Sequence, residues 1–429
     1  MAAAACGLAL TVAGASAGAG AAQATTTQTA PTTGVFTPTT STSLDLGSTP
    51  LGMVAGPASV TLTNTGTSVD SVVDATFTGI GADDYLLDAP CTNVAPGASC
   101  TAIIFFFPGA LGPRPVTITL IDSYGNAVPL TVTGTGTTGY YEVASDGNVA
   151  YAGSAPFYGP NTPLTLNSPI VGLTPTGDNA GYWLVASDGG IFSYGNAQFY
   201  GSTGALHLNQ PIVGMAETPD GQIAGGSGYS LVASDGGIFS FGNAAFHGST
   251  GALHLNQPIV GMAVTPDGGG YYLVASDGGI FAFGDARFHG STGSIHLNQP
   301  IVGMAMTPDG GGYWLVASDG GIFAFGDAHF YGSTGNIHLN APIVGMAASP
   351  TGNGYWMAAA DGGLFNYGDA PFDGSASSLS GFSDTVGVAS NSPPTLQAID
   401  DQPALRSHFT TARLDPLDAR RLAQRMAKT

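Results

Sequence analysis

Positive charge is nearly missing from this chain. Of its eight Lys and Arg, six follow Pro393, so residues 1–392 set 24 acids against only Arg114 and Arg287. A surface of that balance repels nucleic acid and anionic lipid, which removes both as partners of the main body. Charged residues of either sign make up only 8% of the sequence while Gly reaches 66, too few charges and too many turns for a helix-rich cytosolic enzyme. Long apolar runs are missing too, so no transmembrane segment is expected. Nucleophile signatures fail: the Gly-x-Ser-x-Gly pattern occurs only at Gly14-Ala-Ser-Ala-Gly18, without a strand–turn–helix context. Phosphate loops, zincin motifs and Cys/His pairs are likewise lacking, and no cofactor is expected.

What the chain does have is repetition. The stretch Gly312-Tyr-Trp-Leu-Val-Ala-Ser-Asp-Gly-Gly-Ile-Phe-Ala-Phe-Gly-Asp-Ala328 returns, lightly edited, from Gly139, Gly181, Gly228, Gly270 and Gly354, at spacings of 42, 47, 42, 42 and 42 residues. A period near forty marks a repeat architecture, in which each unit buries its faces only against its neighbours.

Within a unit the apolar runs are short and end at turn residues, which favours strands. Ile301–Met306 stops at Thr307-Pro-Asp-Gly-Gly, Tyr313–Ala317 at Ser318-Asp-Gly-Gly, and Ile322–Phe325 at Gly326-Asp-Ala. His329-Phe-Tyr331 reads as a fourth, shorter strand. Asp-Gly between apolar runs is a strong hairpin signal, and four antiparallel strands make one blade of a β-propeller. Trp183, Trp314 and Trp356 share one repeat position, which Tyr141, Tyr272 and Ser230 fill elsewhere. Gly172, Gly214, Gly261, Gly303 and Gly345 share another, as suits a crowded innermost strand. The first unit lacks a leading Pro-Ile-Val-Gly strand, and Asp384-Thr-Val-Gly-Val388 is a degenerate copy of it after the last unit. Joining that copy to the sheet begun at Tyr140 would close six blades without an exposed edge.

The expected organisation is all-β. Residues 1–24, with Gly7–Ala13 and an Ala22-Gln-Ala24 site, read as a secretory signal peptide. Residues 25–42 read as a Thr-rich linker. Residues 43–137 form an immunoglobulin-like β-sandwich, whose runs Val116–Ile121 and Val128–Thr133 alternate as strands with one wet face do. Residues 138–392 form the six-bladed propeller, and 393–429 a tail whose Asp415-Pro start and basic end suit a short helix. Without Cys6, which lies in the signal, Cys91 and Cys100 are an even pair suited to a disulfide in an oxidising compartment; two free thiols or a two-ligand metal fragment fit less well.

The first domain resembles the Hydin-type (ASPM/SPD-2/Hydin) immunoglobulin-like domains of bacterial secreted proteins, through Leu62-Thr-Asn-Thr-Gly66, the Cys91 to Cys100 stretch with Ala95-Pro-Gly, and Leu130-Thr-Val-Thr-Gly-Thr-Gly136. That resemblance implies a spacer or adhesion module without catalysis. Residues 139–390 resemble the Gly-Tyr-Trp-Leu-Val-Ala-Ser-Asp-Gly-Gly repeats of secreted actinobacterial proteins, which implies a propeller and no settled activity.

The repeated acids Asp146, Asp188, Asp235, Asp277, Asp319 and Asp361 all stand in Ser/Ala-Asp-Gly and read as turn caps, not as a metal or acid–base set. Tyr158, Tyr200, His247, His289 and Tyr331 read as packing between blades. His207, His254, His296 and His338, with Asn209, Asn256, Asn298 and Asn340, lie on loops joining blades. Sheets stand about 10 Å apart, so these histidines cannot share a zinc, whose Zn–N distances are near 2 Å. They suit several weak, equivalent contacts to an extracellular glycan or protein ligand. The expectation is a secreted or cell-surface, monomeric, non-catalytic binding or scaffold protein. The alternative is a polysaccharide-acting hydrolase or lyase at the channel mouth, which near-identical blades disfavour because catalysis needs asymmetric groups.

Overall fold

The computed structural model describes residues 34–219 and 228–391; the expected signal peptide, the expected tail helix and the Gln222–Ser227 stretch within the one 47-residue interval lie outside them. The described residues are strands and turns apart from one 3-10 turn, Ala376–Ser378.

The N-terminal part holds nine strands: β1 (Phe36–Pro38), β2 (Ser43–Pro50), β3 (Ala55–Asn64), β4 (Val72–Thr78), β5 (Tyr85–Asp88), β6 (Ser99–Phe106), β7 (Gly112–Pro113), β8 (Val116–Asp122) and β9 (Ala127–Thr137). They form two sheets, in the orders β1-β3-β6-β5 and β2-β9-β8-β4, with β7 added to β9. The expected alternation holds: Val116, Ile118, Leu120, Val128, Leu130 and Val132 turn inward against Val60, Leu62, Ile104 and Phe106 of the other sheet. β1 falls inside the run expected to be a linker, since Phe36–Pro38 pairs with Leu62–Asn64. Asn64, fully buried, explains the Leu-Thr-Asn-Thr-Gly stretch. Its amide donates to the carbonyls of Ser68 and Val94 while its Oδ1 accepts from Gly66. Cys91 and Cys100 are joined, with Cα atoms 5.5 Å apart.

One residue, Thr138, separates β9 from the repeats. These fold as six three-stranded antiparallel sheets. Sheet 1 consists of Gly139–Ala144, Val149–Gly153 and the distant Thr385–Ser390. Sheets 2 to 6 have leading strands Ile170–Pro175, Ile212–Glu217, Ile259–Val264, Ile301–Met306 and Ile343–Ala348. Their middle strands begin at Gly181, Gly228, Gly270, Gly312 and Gly354, and their trailing strands end at Gly195, Gly242, Gly284, Gly326 and Gly368. Every residue of every middle strand is buried, as befits a strand covered on both faces. The leading strands of sheets 2 to 6 lie beside one another in succession, and the first and last of them both lie against Thr385–Ser390. That segment pairs Tyr140 with Ser390 and Glu142 with Val388, as the degenerate C-terminal copy predicted.

Two expectations need correction. The fourth run is not a strand, because its backbone groups are claimed by side chains instead of a ladder. Trp314 Nε1 donates to the His329 carbonyl at 2.7 Å, and the hydroxyl of Tyr355, in the next sheet, accepts from Tyr331 N at 3.2 Å and donates to Gly332 O at 2.6 Å. The same tyrosine clamp recurs at Tyr182, Tyr229, Tyr271 and Tyr313, and Tyr140 closes the set by binding Asp373 N and Gly374 O of the last unit. The repeated glycines of the leading strands are also less crowded than expected, apart from Gly214, where a Cβ would meet Val232 Cγ1 at 3.3 Å. A Cβ on Gly303 or Gly345 would meet the neighbouring strand's glycine Cα at 3.7 and 3.6 Å, an ordinary contact.

Tyr313→Phe tests the clamp. It leaves the His289 N–H and the Gly290 carbonyl without their partner and is expected to cost about 1–2 kcal/mol in chemical denaturation.

Candidate functional site

In each unit a loop follows the trailing strand and, in sheets 2 to 5, rises to a Gly-Ser-Thr turn. Thr203, Thr250, Thr292 and Thr334 are buried there, and each hydroxyl donates to the carbonyl of the Asp in its own Ser-Asp-Gly-Gly turn, at 3.1–3.2 Å. The Asp column behaves as read: Asp188, Asp235, Asp277 and Asp319 Oδ1 each accept the N–H two residues on at 2.9 Å, capping the turn.

Directly after the buried threonine the chain turns outward and presents the candidate residues. His207, His254, His296 and His338, with Asn209, Asn256, Asn298 and Asn340, are all exposed. They stay separate sites, one per sheet, and do not converge. Beside each His stands an apolar side chain that sequence reasoning passed over: Leu206, Leu253, Ile295 and Ile337 are 55–60% exposed. A second missed column, Phe199, Phe246, Phe288 and Phe330, is 61–62% exposed. The signal was available in the period, but a Phe between His and Tyr reads as a strand interior until the strand is found to be missing. The units of sheets 2 to 5 therefore each offer imidazole, carboxamide and bare apolar surface, which suits a ligand with both polar and apolar faces.

The turns that lead into the middle strands lie at the other end of each sheet and gather acids. Just past the trailing strand of sheet 2 stands Asn196, whose amide donates to Asp178 Oδ2 at 2.6 Å. Sheets 4 and 5 carry Asp285 and Asp327 at that repeat position. The Thr265 hydroxyl lies within bonding distance of both Asp267 and Asp285, at 2.8 and 3.3 Å. The Gly269 N–H, then Thr265, hold the Asp267 carboxyl below the usual range, and the Thr307 hydroxyl, then the Gly311 N–H, do the same for Asp309. Between these two sheets lies an open cavity of about 430 Å³ lined by Asp267, Asp285, Arg287, His289 and Asp309. It breaks the repeat pattern, chiefly through Arg287. Among the described residues no three His, Cys, Asp or Glu side chains are disposed to hold a metal ion.

The histidines read as packing groups do pack. His247 and His289 meet Tyr271 and Tyr313 edge-on, with ring centroids 5.5 and 5.6 Å apart. Tyr158, at the same repeat position, carries its hydroxyl on to the Asn179 carbonyl at 2.9 Å. Among the described residues no helix is long and apolar enough to cross a membrane.

No family model matches the chain, and no curated protein matches it. Among solved structures it is similar to a protein of unknown function from Porphyromonas gingivalis W83, at 21% identity and a TM-score of 0.21, over 25% of this chain and 50% of that one. The match thus spans half the length of that protein.

Proposed function

We propose that residues 138–391 are a closed six-bladed β-propeller carried on an immunoglobulin-like sandwich. The chain then acts as a secreted, non-catalytic binding module whose rim takes a cell-surface glycan or protein. Closure is supported by the succession of leading strands that ends on Thr385–Ser390, and by the Tyr140 clamp onto the last unit. The resemblance of the sandwich to Hydin-type domains, and of the repeats to those of secreted actinobacterial proteins, supports export, as does the disulfide, which persists in oxidising compartments.

The observation that carries the function is the rim. The Leu/Ile-His-x-Asn group recurs in four successive sheets and is exposed in each. Individually weak contacts of this kind gain avidity by repetition, by factors of about 10²–10⁴. Arrayed neutral glycans and purified peptidoglycan, offered to the full chain, form the test. Replacing His207 and His254 by Ala should weaken retention roughly tenfold or more, and replacing all four rim histidines should abolish it. Undiminished retention by the fourfold variant overturns the rim reading. Release of soluble sugar, lost in Asp285→Asn, would favour the hydrolase or lyase reading at the asymmetric cavity instead.

A further inference from the structure

The interface between sheet 6 and sheet 1 differs from the others at three places at once. In sheets 2 to 6 the fourth residue of the middle strand is Leu184, Leu231, Leu273, Leu315 or Met357, but in sheet 1 it is Glu142, 2% exposed. That residue faces the preceding sheet. Leu315, for example, packs in one cluster with Val274, and the valine position is kept as Val143, Val185, Val232 and Val316. Sheet 6 alone has Ala358 there. The buried Thr of sheets 2 to 5 becomes Ala376 in sheet 6. The two alanines leave room for a longer side chain, and Glu142 Oε1 enters it and accepts the Ala376 N–H at 2.8 Å. Its other oxygen, Oε2, is buried without a hydrogen-bond partner.

We propose that this seam is a proton-operated latch: protonated Glu142 holds sheet 1 against sheet 6, and its ionisation loosens that one interface while the other five stay shut. A buried carboxylate with one bare oxygen is disfavoured, whereas the neutral acid can keep the Ala376 bond. The titratable groups facing it offer no counter-charge. Asp361, from the turn of sheet 6, adds like charge, and Tyr140, on the same strand, is neutral and bonded to Gly374. Asp373, from the loop of sheet 6, acts on that same tyrosine and is also an acid. Burial, reinforced by Asp361 and offset in part by the Ala376 N–H, pushes the Glu142 carboxyl up to about 7.

Because the folded value lies above the unfolded one, the latch is fully engaged below pH 4.5 and is released as pH rises through about 7. The opening constant should grow about tenfold per pH unit between those two values. Asp267 and Asp309, shifted the other way, lose their contributions only below their ordinary value of 3.8, outside this window.

Hydrogen exchange of the full chain, corrected for the intrinsic pH dependence of exchange, reads the latch. Amides of Tyr140–Ala144 and Thr385–Ser390 should lose protection as pH rises from 5 to 8, while those of Tyr313–Ala317 keep theirs. Glu142→Gln, which retains shape and acceptor, should remove the difference. The triple change Glu142→Leu, Ala358→Val and Ala376→Thr rebuilds the ordinary interface and should protect the seam at both pH values. Equal protection of the wild-type seam at pH 5 and 8, or a pH effect that survives in Glu142→Gln, overturns the proposal.

Discussion

A chain stopped before Asp384 is expected to lose the cooperative melting of its repeats, whereas one stopped after Asn391 keeps it. Both variants lack residues 392–429, so the comparison isolates residues 384–391. Those residues supply the third strand of sheet 1, whose partner Gly139–Ala144 lies at the far end of the repeat array in sequence. They also tie three further ends: Thr385 N to Ala360 O, Asp384 O to Ser145 N, and Asn391 N to Gly139 O, at 2.8–3.0 Å. Each hydrogen bond contributes about 1 kcal/mol net, but the larger loss is packing. Removing the strand uncovers the leading strands of sheets 2 and 6 together, along with the apolar faces beside Val386 and Val388. In a repeat array whose units are stable only against neighbours, two new ends are expected to destabilise inward from both sides. Calorimetry and limited proteolysis check this. A melting temperature unchanged by loss of residues 384–391 would show that the units hold as an open row, and closure would fall with it.

That strand was legible in the chain for a simple reason. Asp384-Thr-Val-Gly-Val388 keeps the Val-Gly core of Ile343-Val-Gly-Met346 at the next repeat interval, and strand pairing needs little more than such a pattern. The middle strands were equally legible, since a run such as Tyr313–Ala317 bounded by glycines has few alternatives to a buried strand. The failure came at His329-Phe-Tyr331. Local pattern records which residues favour extended backbone, but not who accepts their hydrogen bonds. Here the acceptors and donors are a tyrosine hydroxyl of the next unit and an indole of the same one. The repeated histidines His207, His254, His296 and His338 stand out by period alone, while the exposed Phe and Leu/Ile columns are hidden by the assumption that an apolar residue near a strand is covered. Glu142 is the one acid in a column otherwise filled by Leu184, Leu231, Leu273, Leu315 and Met357, a departure the sequence reading passed over. Its meaning depended on Ala358 and Ala376, which follow it 216 and 234 residues on, and only the fold brings the three together.

Trp314→Ala should cost more stability than any other single change in the repeats argued here, about 4 kcal/mol. The indole is completely buried between sheets, stacks obliquely on Tyr355 with centroids 5.6 Å apart, and anchors the His329 carbonyl. Truncating a buried aromatic to Ala typically costs about 3–5 kcal/mol through lost transfer energy and the cavity left behind. Losing the anchor adds a second effect of different character: the Tyr355 hydroxyl is then left to hold the 329–332 segment without the indole. Exchange at Tyr331 and Gly332 should therefore rise beyond the global loss, while sheet 2, with its own Trp183 bound to Gln198, reports the global loss alone. Sheet 3 indicates that the fold itself survives such a change. It carries Ser230 at this position, buried and paired with Ser240 at 3.1 Å, so the architecture already tolerates one unit without the ring. Equilibrium denaturation of Trp314→Ala beside Trp314→Phe separates cavity from anchor, since Phe refills most of the volume but cannot donate. If both variants lose the same stability and leave Tyr331 exchange unchanged, the indole bond has no part in holding the segment that replaces the fourth strand.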